Sequence, residues 1–174
     1  MSDSLLDRVN KGILGLKPYE PGKSINVTQK ELGIKNIIKL ASNENPLGIS
    51  PKAFKAISKN KDLNRYPDGN ATSFKEVVSQ IEKIKTSMIT VGNGSNDLIE
   101  FVSKCFLSEG DNAIYSQHGF AIYPLAIKST GAKAIKAKAR DWGHDLNLMK
   151  DLVDENTKVI FLATPNNPTG TVLE

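Results

Sequence analysis

A chain of 174 residues, 39% hydrophobic and 24% charged, can hold one domain with a real core but not most two-domain enzymes. No apolar run approaches the ~20 residues of a membrane-spanning helix; the acidic start Met1-Ser-Asp-Ser-Leu-Leu-Asp-Arg8 is unlike a secretion signal, and the lone Cys105 excludes an internal disulfide and a multi-cysteine metal site, so a cytoplasmic protein is expected. The net charge of +4 rests on scattered lysines, with arginine only at Arg8, Arg65 and Arg140 and aromatics at 6%, which reads as a solvated surface and not as a nucleic-acid patch.

Residues 1–50 read as an irregular arm, with turn clusters at Lys17-Pro-Tyr-Glu-Pro-Gly-Lys23 and Ser42-Asn-Glu-Asn-Pro-Leu-Gly48. Ser50-Pro51 then opens a helix, serine as its cap and proline at its first position, with Ala53, Phe54 and Ile57 on one side. Asn64-Arg-Tyr-Pro-Asp-Gly69 is a further turn. A second helix from about Thr72 carries Phe74, Val77, Val78 and Ile81 at helical spacing.

Met88-Ile-Thr-Val91 reads as a short strand ended by Gly92-Asn-Gly-Ser95. Leu98, Ile99, Val102, Cys105 and Phe106 mark the next helix and place Cys105 in its core face. Strands follow at Ala113–Tyr115, Ala132–Ala139 and Lys158–Leu162, separated by helices at Phe120–Thr130 and about Leu146–Val153. Lys158–Leu162 reads as a buried parallel strand, apolar on both faces. This alternation predicts an α/β fold with a mainly parallel sheet. Four short strands with a raw edge, and an end at Glu174 just past a loop, suggest a truncated chain.

Two loops carry candidate chemistry. In Val91-Gly-Asn-Gly-Ser-Asn-Asp97 the glycines permit a sharp turn, and the free N–H groups at the following helix start make a seat for a phosphate. A dinucleotide fingerprint lacks its third glycine here, and a P-loop its lysine. A plain helix cap at Ser95 or Asn96 remains the competing reading. In Ala163-Thr-Pro-Asn-Asn-Pro-Thr-Gly170 two prolines would hold Asn167 rigidly at the carboxyl end of a strand, where open α/β sheets bind ligands. Its competitor is a proline-asparagine turn with no ligand.

Asn43-Glu-Asn-Pro-Leu-Gly48, Asn64-Arg-Tyr-Pro67, Val91-Gly-Asn-Gly-Ser95 and Pro165-Asn-Asn-Pro-Thr-Gly170, in that order from about Leu16 onward, resemble the histidinol-phosphate aminotransferase family of the aspartate-aminotransferase fold group. The resemblance implies the three-layer, mainly parallel sheet of a fold type I large domain, incomplete and spanning 51–174, after an arm and small-domain segment at 1–50. It implies pyridoxal 5′-phosphate, its phosphate held at Gly94, Ser95 and Asn96, its ring stacked on Phe120 and its phenolic oxygen bonded by Asn167. Tyr66 corresponds to a tyrosine that reaches the phosphate of the other subunit, implying a homodimer; Tyr19 lies where the family has a substrate-side tyrosine. The implied reaction passes an amino group from histidinol phosphate to 2-oxoglutarate, an amino donor and a 2-oxo acid acceptor, giving imidazole-acetol phosphate and L-glutamate in histidine biosynthesis. His118 departs from the family's commoner residues before the aromatic, and neither it nor His144 is given a role. The competing reading of Phe120 is helix core, and that of Tyr66, without the resemblance, a turn aromatic packed against Pro67.

The family also needs a lysine that holds the cofactor covalently, an acidic partner for the ring nitrogen, and arginines for the phosphate and carboxylate. The lysine follows the Asn-Pro-Thr-Gly motif, whereas every lysine here precedes it, so the chain alone is expected to be inactive. An aromatic-amino-acid aminotransferase or a threonine-phosphate decarboxylase of the same fold, and a non-catalytic phosphate-binding fragment, are the alternatives.

Overall fold

A computed structural model describes residues 5–19, 22–40 and 42–173. The turn expected at Lys17–Lys23 includes Glu20 and Pro21, and the chain end includes Glu174, all outside the described residues. The chain divides into two compact units, Met1–Glu20 with Gly92–Glu174, and Pro21–Val91.

In the first unit a short helix α1 (Lys11–Leu14) precedes α5 (Ser95–Phe106), β1 (Asn112–Ser116), α6 (Ile122–Ser129), β2 (Lys133–Ala137), α7 (Leu146–Asp151) and β3 (Thr157–Phe161); the second unit holds α2 (Ile25–Leu32), α3 (Pro51–Lys59) and α4 (Thr72–Glu82). The strands form one sheet of order β2-β1-β3, with both pairings parallel. Ala113 faces Ala134 and Val159 across the sheet, and Ile114 faces Ile135 and Ile160.

Neighbouring residues on a strand point to opposite faces, so β1 feeds two cores. Ala113 packs with Leu107, Ile127 and Ala132; Ile114 packs with Ala137 and Met149. Helix α6 therefore covers one face and α7 the other, which makes three layers. Both β1 residues are fully buried because β1 alone has a strand on each side.

The arm docks on this frame at the far end of α6. Asn10 Nδ2 donates to the Ser129 carbonyl at 3.3 Å, and the Asn10 Oδ1 accepts from Gly12 N–H at 2.9 Å. A methyl group at Gly12 would overlap the Lys128 carbonyl, so only glycine allows the two backbones this close.

Four expectations change. Residues 88–91 form no strand: Thr86–Met88 is a 3-10 turn, and Ile89 is extended but has no ladder partner among the described residues. Among the described residues three strands, not four, make the sheet. Strand β3 is an edge strand with alternating exposure, Lys158 outward and Ile160 43% exposed, so it is not buried on both faces. Cys105 is exposed, as are Val102 and Phe106, because α5 turns Ser103 inward and Leu107 follows it into the core.

In the second unit, α2 forms inside the segment read as irregular. Ser24 Oγ accepts from Val27 N–H at 3.3 Å, and Gly33 closes the helix at φ 67°. Helix α3 starts with Pro51 as expected, but the Ser50 side chain makes no capping bond. The turn before α4 is held by Asp68, which accepts from the N–H groups of Thr72 at 2.8 Å and Asn70 at 3.0 Å.

Hydrogen bonds from the Thr72 side chain, then from the Thr72 and Asn70 backbone, lower the Asp68 carboxyl to about 2. A folded value below the unfolded one adds stability above the unfolded value of about 3.9, and that contribution disappears as pH falls through the folded value. Helix content measured by circular dichroism during urea melts should show Asp68→Ala weaker than the parent at pH 7. The gap should close between about pH 4 and about 2; a gap independent of pH would contradict this cap.

Candidate functional site

Because the strands are parallel, the segments that leave them gather at one edge of the sheet: 117–121 after β1, 138–145 after β2 and 162–173 after β3. Helix α5 begins at this edge too. Helix α5 ends just before the start of β1, and Glu109, just past its end, lies against Gly131, just past the end of α6, so α5 and α6 run in one direction; Asn96, Lys104, Ile122 and Ser129 border one cavity of about 390 Å³. Ile122 follows Phe120 by two residues, and the arm residues Ile13 and Leu16 line this cavity as well.

The start of α5 has an open form. Gly94 sits at φ 78°, ψ 179°, a region essentially restricted to glycine. Its N–H folds back to the Gly92 carbonyl at 2.9 Å, and the Asp97 carboxylate turns to the Asn93 N–H at 2.8 Å. Among the described residues no side chain caps the helix, whose cap position is Gly94, so neither Ser95 nor Asn96 serves as the plain cap of the competing reading. The outermost backbone N–H groups, with the helix dipole behind them, are left facing outward, which suits an anionic oxygen.

Phe120 is half-buried and meets Tyr123 edge to face, with ring centroids 6.1 Å apart. Tyr123 stacks in turn on Phe161 of β3 at 4.8 Å. Burial pushes the Tyr123 phenol above its usual range, which keeps this bridging ring neutral. Phe120 is therefore a loop residue backed by an aromatic ladder, and part of its ring stays exposed.

Asn167 lies in the turn after β3, half-buried, between cis peptides at Thr164-Pro165 and Asn167-Pro168. Its neighbour Asn166 is 3% exposed and crosses to the loop of Phe120, donating from Nδ2 to the His118 carbonyl at 3.0 Å. The base of the turn is gripped by His144, itself buried, whose Nε2 lies 2.9 Å from the Ala163 carbonyl and 3.2 Å from its N–H.

Gly94, Ser95, Asn96, Phe120 and Asn167 thus belong to one unit and one edge of its sheet. Tyr19 belongs to the same unit and is half-exposed. Gly12 of the arm lies beside Lys128, and Gly15, Leu16 and Lys17 line a cavity together with Pro124, Leu125 and Lys128 of α6. Tyr66 lies in the other unit, between α3 and α4, and is fully exposed. Asn166, His144 and Trp142 escaped the sequence reading. The paired asparagines in Pro-Asn-Asn-Pro were the one available signal, since two adjacent amides in a tight turn face different ways. A larger cleft, about 560 Å³, lies at the opposite edge between Arg8, Lys11 and Gly131, and none of the expected residues line it.

Residues 35–174 match the model of the family "Aminotransferase class I and II". The chain is 47% identical to histidinol-phosphate aminotransferase 2 of Pseudomonas fluorescens and 48% identical to histidinol-phosphate aminotransferase 1 of Mannheimia succiniciproducens, in each case over 98% of this chain and 47% of that protein. It therefore spans about half the length of these curated relatives. In fold it matches the crystal structure of histidinol-phosphate aminotransferase from Sinorhizobium meliloti in complex with pyridoxal-5′-phosphate, with a TM-score of 0.82 at 22% identity over 94% of this chain and 44% of that one.

Replacing Gly94 by alanine forces a side chain into the left-handed region. Equilibrium denaturation should register a loss of about 1–3 kcal/mol, and calorimetry a weaker affinity for inorganic phosphate. An alanine variant as stable and as phosphate-competent as the parent would show that the open helix start does not depend on this conformation.

Proposed function

Because the chain belongs to the aminotransferase class I and II family, we propose that it forms the phosphate seat and one wall of a pyridoxal 5′-phosphate site in an aminotransferase acting on histidinol phosphate. The observation that supports this most is the sharing of one sheet edge by an uncapped helix start, a half-buried phenylalanine and a rigid asparagine turn. These are the donor set that a phosphorylated, flat, phenol-bearing ring requires.

In this reading the helix start at Gly94, Ser95 and Asn96 holds the phosphate: the Ser95 and Asn96 N–H groups donate, with the Ser95 hydroxyl as a further donor, while Gly94, whose own N–H is engaged by the Gly92 carbonyl, supplies the turn. Phe120 stacks on the ring and is kept from tilting by Tyr123. Asn167 donates to the phenolic oxygen. When bound, the cofactor supplies an electron sink for the carbon that exchanges its amino group; these residues bind and orient it. The exposed Tyr66 ring is suited to reach the phosphate held by a second subunit, in a homodimer, and Tyr19 to meet the substrate.

The amino donor proposed is histidinol phosphate and the acceptor 2-oxoglutarate, in agreement with the names of the relatives at 47–48% identity. The cofactor-holding lysine, the acidic partner of the ring nitrogen and the anion-binding arginines are proposed to come from the part of the relatives' length that this chain does not span. No lysine of the chain lies after Asn167, and Lys158 points outward from β3. Residues 51–174 are proposed as the first part of the large domain, and 1–50 as the arm and small-domain segment.

Single-turnover spectra test this directly. The intact protein, loaded with cofactor, should lose its cofactor absorbance faster with histidinol phosphate than with phenylalanine or threonine phosphate. The 174-residue chain alone should show no such loss. Turnover by the chain alone, or a preference for phenylalanine, would overturn the proposal.

A further inference from the structure

We propose that Asn166 is a positioning residue: its side-chain amide sets the gap between the Phe120 loop and the Asn167 loop, through a latch whose outer end is the Asp141-Trp142 turn. The inference rests on the reading above, in which Phe120 and Asn167 touch the two sides of one ring.

The Asn166 backbone first closes its own turn. Its N–H donates to the Thr171 carbonyl at 2.8 Å, and its carbonyl accepts from Gly170 N–H at 2.7 Å. The side chain then reaches outward. One Nδ2 hydrogen goes to the His118 carbonyl at 3.0 Å, across 48 residues of sequence, and the other to Thr169 Oγ1 at 2.7 Å. Thr169 Oγ1 lies 3.0 Å from Thr171 Oγ1, and that hydroxyl donates to the Trp142 carbonyl at 3.5 Å.

The circuit closes through rings, since the His118 imidazole lies against the Trp142 indole with centroids 4.8 Å apart and planes 31° apart. Trp142 is held there by a tight turn in which Arg140 and Gly143 exchange backbone bonds of 3.3 and 2.8 Å. Asp141 and Trp142 in that turn sit at φ 48° and 64°, a conformation that L side chains seldom adopt. All three carboxyl-edge loops are therefore joined in one loop of contacts, with Asn166 at its centre.

Asn166 Oδ1 is buried without a protein partner among the described residues, so the contacts of the amide are those of its two N–H groups. Both N–H groups of the amide are engaged, and they engage different partners, one of them on the other loop. What distinguishes this site is the donor pair.

Trp142 is the single tryptophan, so its fluorescence reports the latch without interference. Asn166→Asp keeps the shape and removes both donors. In the folded variant, acrylamide should quench Trp142 more readily than in the parent. The dissociation constant for pyridoxine 5′-phosphate, which has no aldehyde to react with lysines, should rise about tenfold, and that for inorganic phosphate should not change.

Unaltered Trp142 quenching in the folded variant, or an equal loss of both ligands, would overturn the proposal. If the aspartate variant does not fold, Thr169→Val removes one of the two acceptors, and a smaller change in the same direction is expected; no change would again overturn it. Failure of the parent chain to bind pyridoxine 5′-phosphate would instead defeat the cofactor reading, and Trp142 quenching in the Asn166 variant would then decide the latch alone.

Discussion

Parallel hydrogen bonding of β1 to a strand on each side is the constraint from which the rest of the first unit follows. It buries Ala113 and Ile114 completely, on opposite faces, and so calls for a helical layer above and another below. It also directs every departing segment to the same edge. A slip of one residue in β1 would exchange the two faces, separating Ala113 from Ile127 and Ile114 from Met149. The Asn166 bridge to His118 would fail with it, because its two ends are carried by β1 and β3.

At that edge the polar groups divide into two kinds. The loops after β1, β2 and β3 are tied by side chain to backbone: Asn166 to His118, His144 to Ala163, Thr171 to Trp142. The start of α5 is the exception, for its glycine turn spends the Asp97 carboxylate on Asn93 and brings no side chain to the helix N–H groups. Rigid loops beside an uncapped helix start are what a site needs if it is to hold an anion at one end of a ring and orient the ring at the other.

The sequence made the alternation of helices and strands in this unit readable, because β1, α6, β2, α7 and β3 each carry their own period and turn residues. It misled where burial depends on neighbours. Lys158–Leu162 looks buried by composition, yet β3 has a strand on one side only. Cys105 sits on an apolar stripe, but the sheet takes the stripe that begins with Ser103. Met88–Val91 has strand-like residues without a partner to pair with among the described residues. Helix α2 was readable in principle, since Ser24 and Gly33 mark its two ends. Of the candidate site, Ser95, Phe120 and Asn167 stood out through their loops and the family resemblance, whereas Asn166 did not, because its partner on the other loop is 48 residues away and is a backbone carbonyl with no sequence signature.

An isotope-labelled chain titrated with pyridoxine 5′-phosphate and followed by amide NMR asks whether one ligand is gripped at both places. The backbone signals of Ser95 and Asn96 and the side-chain amide of Asn167 should move together and saturate with one dissociation constant. Saturation at Ser95 and Asn96 while Asn167 stays still, or two separate constants, would mean that the helix start and the asparagine turn do not hold the same molecule.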